Sequence, residues 1–126
     1  MDWTNQDEHI SILKLSTSLV TDFLRLKYQP VIVVDTFSGN KIKSYLDTLF
    51  KLDKNLSVKI FGLYTSDEEL EKRISTRKDG EFKDIEVCKK LNHDVLKHKH
   101  PDEFQIDTTG MSPLEVARRI FDQINS

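Results

Sequence analysis

Apolar residues recur at three- and four-residue spacing between about Thr4 and Tyr28, at Ile10, Leu13, Val20 and Leu24. That spacing predicts a helix with one buried face. Thr4 or Asn5 can cap it, and Asp7 and Glu8 in the first turn suit the helix dipole. Pro30 ends the helical pattern, and four β-branched residues follow, Val31-Ile32-Val33-Val34. A continuous run of this kind predicts a strand buried on both faces, as central parallel strands are. A second helical pattern runs from about Lys41 to Leu52, with Ile42, Tyr45, Leu46, Leu49 and Phe50 inward. Ser57 to Tyr64 reads as a second strand. Ser66 and Glu69 form a capping-box pair that opens a third helix, ending near Lys78-Asp79-Gly80. A further helix, about Lys83 to Lys99, leads through Pro101 to a short strand, Phe104–Asp107. Ser112-Pro113-Leu114-Glu115 then opens a last helix that runs to about Ile124.

The order α-β-α-β-α-α-β-α predicts an α/β fold with a mostly parallel sheet covered on both faces, a three-layer α/β/α domain. Ligands in such folds sit beyond the carboxyl ends of the strands. Three loops are expected at that edge: Asp35–Asn40, Tyr64–Asp67 and Asp107–Ser112.

Composition narrows the classes. A chain of 126 residues with no repeat and no Pro/Gly/Ser linker is expected to form one domain. A formal charge of −2 gives no reason to invoke nucleic acid or an anionic membrane surface. The single cysteine, Cys88, excludes an internal disulfide framework and suits a reducing compartment. No apolar run approaches the roughly 18 residues that would span a bilayer. The acidic, polar start is unlike a targeting signal, so the cytosol is the expected location. Trp3 is expected to anchor the first helix by packing, and Cys88 to sit half-buried. His93, His98 and His100 lie among Lys89, Lys90, Lys97 and Lys99. Their spacing is wrong for a zinc site on one helix, and a solvated basic helix end accounts for them.

Three segments together resemble the P-loop small-molecule kinases. Pro30–Phe37 (PVIVVDTF) is similar to that family's Walker B strand, hydrophobic and ending in aspartate. Val58–Arg77 (VKIFGLYTSDEELEKRISTR) is similar to the stretch in which a strand leads to a helix ending in the arginine-bearing lid. Ile106–Ala117 (IDTTGMSPLEVA) resembles the last strand, the adenine-side loop and the closing helix. The resemblance covers about Pro30 to Ile124. It implies transfer of the ATP γ-phosphate to a small-molecule hydroxyl or phosphate, with Mg²⁺. Asp35 would then hold the metal through water or orient the acceptor as a base. Arg73 and Arg77, four apart on one helical face, would close over the transferred phosphate. Thr36, Phe37, Asn40 and Lys41 would face the acceptor. Thr108, Thr109 and Gly110 would form the adenine-side loop.

One departure decides what this chain does by itself. A Walker A loop, G-x-x-x-x-G-K-[ST], needs two glycines and a lysine so that backbone N–H groups can close around phosphates. The four glycines, Gly39, Gly62, Gly80 and Gly110, do not make that pattern. The scaffold is therefore an incomplete kinase-like fold. It is part of a longer enzyme, or works with a complementing chain, or is a non-catalytic relative used for protein interaction or dimerisation. The 30–35 strand is expected to pair directly with 57–64 or to mediate a homodimer, because open strand edges are costly.

Overall fold

A computed structural model describes residues 5–125. The fold is mixed α/β, with five helices and a two-stranded parallel sheet among the described residues. The chain divides into two compact units, residues 1–57 and 58–126.

The first unit holds α1 (Gln6–Arg25) and α2 (Lys41–Leu52). Asn5 caps α1 by accepting the Glu8 N–H at 3.0 Å; the alternative cap Thr4, and Trp3, lie outside the described residues. The buried face of α1 is His9, Leu13 and Thr17, one residue per turn, and it meets Tyr45, Leu46 and Leu49 of α2. Thr17 satisfies its hydroxyl on the Lys14 carbonyl at 2.6 Å, so it can be buried without an orphaned polar group. The Tyr45 hydroxyl meets Ser16 Oγ at 2.7 Å, and its ring takes the edge of Phe37 at a centroid distance of 5.2 Å.

α1 ends before Pro30, as the sequence suggests, but the stop is built from hydrogen bonds. Tyr28 N–H donates to the Phe23 carbonyl at 3.1 Å and Lys27 N–H to Leu24 at 3.0 Å. Lys27 sits at φ +73°. The Tyr28 ring lies edge-on to Phe23 at 5.7 Å. Together these features form a Schellman motif with its apolar clasp.

The expected buried strand at 31–34 is not a strand. Residues 31–34 join no ladder among the described residues. Ile32 is 76% and Val34 90% exposed. The preference of β-branched side chains for strands describes their fit to a pleated surface beside a neighbour. It does not supply the neighbour. The sheet instead pairs β1 (Ile60–Tyr64) with β2 (Glu103–Asp107), in register from Ile60↔Glu103 to Tyr64↔Asp107. This ladder stands in place of the expected pairing of 30–35 with 57–64.

The second unit runs β1, α3 (Asp67–Ser75), α4 (Ile85–Lys97), β2 and α5 (Pro113–Ile124). α3 stops at Ser75, short of the expected Gly80, and α4 is trimmed to the residues after its cap, Asp84, which accepts the Val87 N–H at 3.1 Å. Gly62 is where the Glu103 side chain and α4 both come close to β1: a Cβ there would collide with the Glu103 carboxylate and lie 3.0 Å from Val95 Cγ1. Ile74 and Ile106 are sealed at 1% and 0% exposure, and an alanine at Ile106 would cost about 2–5 kcal/mol. Lys59 Nζ donates to the Gln123 and Ile124 carbonyls, closing the last turn of α5 with a cation. No helix among the described residues is long and apolar enough to cross a membrane.

Candidate functional site

In the first unit, the loop after residues 31–34 brings Asp35 to His9. His9 Nε2 lies 3.0 Å from Asp35 Oδ1, and His9 Nδ1 lies 2.9 Å from Lys41 Nζ. Lysine has only donors, so Nδ1 accepts from Lys41 and Nε2–H donates to Asp35. Lys41 gives a further hydrogen bond to Gln6 Oε1. The imidazole is 3% exposed and the Asp35 side chain 30%. Asp35 Oδ1 also accepts the Thr36 N–H at 2.6 Å. Asp35 and the residues expected to face an acceptor, Thr36, Phe37, Asn40 and Lys41, thus fall on one loop and the first turn of α2. Of these, Phe37 packs its ring on Tyr45, and Asn40 stands before α2 without a side-chain cap bond.

His9 was not singled out from the sequence. The signal was there: a titratable residue four positions before Leu13 and eight before Thr17, on the buried stripe of α1. A polar group on an apolar stripe needs a partner, and the first carboxylate after the helix supplies it.

Magnesium keeps several waters and takes one or two carboxylates, so Asp35 alone fits a water-rich site. Among the described residues, no group of three or more His, Cys, Asp or Glu side chains is placed to hold a metal.

In the second unit the carboxyl ends of β1 and β2 are knotted together. Thr108 N–H donates to the Tyr64 carbonyl at 2.8 Å, and the Thr108 hydroxyl to the same oxygen at 3.0 Å. The Thr109 hydroxyl donates to Asp107 Oδ1 at 2.6 Å and accepts the Ser66 N–H at 3.0 Å. Its only proton is therefore used, so the Thr65 hydroxyl, 2.9 Å away, is the donor between the two threonines. The Asn92 side chain brackets Thr65, accepting its N–H at 3.0 Å and donating to its carbonyl at 2.7 Å. The Thr109 hydroxyl, followed by its backbone N–H, holds the Asp107 carboxyl below its ordinary value.

Arg73 is part of this knot. Its Nε donates to Glu69 at 3.2 Å, one terminal nitrogen to Thr108 Oγ1 at 3.1 Å, and the other to the Thr108 carbonyl at 2.7 Å. Arg77 donates to the Phe82 carbonyl. Gly110 takes φ +74° at the turn out of β2, a backbone conformation that a side chain would strain. The capping box at α3 is half formed. Ser66 Oγ accepts from Glu69 N–H, but the Ser66 N–H goes to Thr109, and the Glu69 carboxylate pairs with Arg73. The knot thus brings Arg73, Thr108 and Thr109 together, with most of their polar capacity spent on each other.

Two histidine side chains of α4 and the following loop have partners. His93 pairs with Asp67 at 2.9 Å, and His100 Nδ1 accepts the Asp102 N–H at 3.1 Å. Glu71 bonds Lys89 and holds its ammonium above the ordinary lysine value. Cys88 is half-buried and unpaired as a disulfide.

Comparison with protein-family models, with curated proteins and with solved structures gives no match for this chain.

Proposed function

We propose that this chain is a non-catalytic, kinase-like α/β scaffold that acts as an interaction module, pairing its residues 31–34 with those of a second copy of itself. The observation that carries this reading is the run Val31–Val34, β-branched throughout, outside any ladder and as much as 90% exposed at Val34. Backbone groups in such a run invite another strand. A parallel sheet is ordinarily covered on both faces and extended at both edges, whereas β1 and β2 stand alone among the described residues. α5 adds an apolar face with Leu114 and Phe121 at 61% and 66% exposure. Two copies related by a two-fold axis would pair their 31–34 runs antiparallel. Light scattering across a concentration series should give a dimer mass, and Val34→Lys should return the monomer. A wild-type monomer at every concentration would end this reading.

A second reading has its own support. Asp35 is held by a buried histidine and a backbone N–H through Oδ1 alone, which leaves Oδ2 for a hydrated Mg²⁺ or an acceptor hydroxyl. In this reading the chain is part of an ATP-dependent phosphotransferase for a small-molecule acceptor, with the phosphate loop supplied by a complementing polypeptide. The chain alone should not turn over ATP. Co-expression with a segment carrying G-x-x-x-x-G-K-[ST] should restore turnover, and Asp35→Asn should abolish it. Restored turnover that ignores Asp35→Asn would remove Asp35 from the chemistry.

A further inference from the structure

A cleft of about 320 Å³ opens within the first unit, walled by α1 and by the loop and first turns of α2. Its apolar lining comes from Ile10, Leu13 and the Tyr45 ring, and its polar lining includes Lys14, Lys41, Ser38 and Ser44. The volume lies at the small end of ordinary small-molecule sites, roughly 300–1,000 Å³. The charge in this lining is one-sided: two ammonium groups and no carboxylate. Lys41 spends two of its three N–H donors on Gln6 and His9 and keeps the third. The Lys14 ammonium and the Ser38 and Ser44 hydroxyls have no protein partner among the described residues. The first turn of α2, at the same wall, has no acidic residue to answer its dipole.

We infer that this cleft binds a small amphiphilic anion, a molecule with an apolar body and a single carboxylate or phosphate head, with Lys14 and Lys41 as its countercharges. The apolar body replaces water over Ile10, Leu13 and Tyr45. The head brings the negative charge that the lining lacks. Neither element involves the 31–34 run, so the inference does not depend on self-association.

The test is titration calorimetry on the full chain at several temperatures, with octanoate and octyl phosphate as anionic probes below their micelle concentrations. Octanol and octyltrimethylammonium serve as neutral and cationic controls. The expected result is one site per chain, a negative heat-capacity change from apolar burial, and anion affinity at least tenfold above both controls. The ratio of the two anionic probes tells whether a carboxylate or a phosphate is preferred. Lys14→Glu should lower anion affinity at least tenfold while leaving the unfolding midpoint in place, since Lys14 is exposed. Ser44→Trp, also at an exposed position, should close the cleft to every probe. Equal binding of anionic and cationic probes would overturn the inference, as would anion binding that survives both substitutions, or no anion binding at all.

Discussion

Lys27 occupies the left-handed position of the Schellman motif that ends α1, at φ +73°. Glycine is the usual residue there, because a Cβ in that conformation costs about 1–2 kcal/mol. Its greater freedom in the unfolded chain takes back about 0.4–1 kcal/mol. Lys27→Gly should therefore raise stability by about 0.5–1 kcal/mol, read as a higher urea midpoint with an unchanged slope. A lower midpoint would mean that the lysine charge, near the negative end of α1, outweighs the backbone term. His9 makes the opposite bargain. A buried imidazole is tolerable only because each ring nitrogen has a partner, Asp35 on one side and Lys41 on the other.

Among the elements, α2 and α5 have the bounds that periodicity and capping residues suggest, and β2 starts one residue early. Those features are local. Leu46 and Leu49 declare the inner face of α2, and Ser112 with Pro113 declares the start of α5, without reference to anything distant. The run 31–34 was misread because its state depends on a neighbour, and four β-branched residues look alike whether or not a ladder is present. The side-chain clusters around the expected site residues were legible in the same uneven way. Asp35 and Arg73 were visible as strand-end and helix-end residues, but their partners, His9 and Thr108, are 26 and 35 positions away. Arg73 fastens α3 to the turn after β2 through a planar fork, which lysine cannot reproduce. Arg73→Lys should cost about 1–3 kcal/mol in urea unfolding, whereas Arg77→Lys, with a single carbonyl contact, should cost less. Equal effects would mean that the Thr108 contacts contribute little.

For the whole molecule, few apolar side chains are sealed: Leu13, Tyr45, Leu46, Leu49, Ile74 and Ile106 are the buried ones among the described residues. Ile32, Val34, Leu114 and Phe121 remain open to solvent. If a second copy covers part of that surface, stability is linked to association by mass action. The thermal midpoint should then rise with protein concentration, and Val34→Lys should make it concentration-independent. A wild-type midpoint that stays flat would show that folding owes nothing to a partner. The β1–β2 ladder has a consequence in time as well. Tyr64 pairs with Asp107, 43 residues further along, and everything between must be gathered before the first rung closes. Closing a long loop spends entropy before any contact repays it, and topologies of this kind fold slowly. During synthesis β1 leaves the ribosome well before β2 exists. Throughout that interval the edge that will meet β2 has no partner, and the element made in the meantime that packs against β1 is α4.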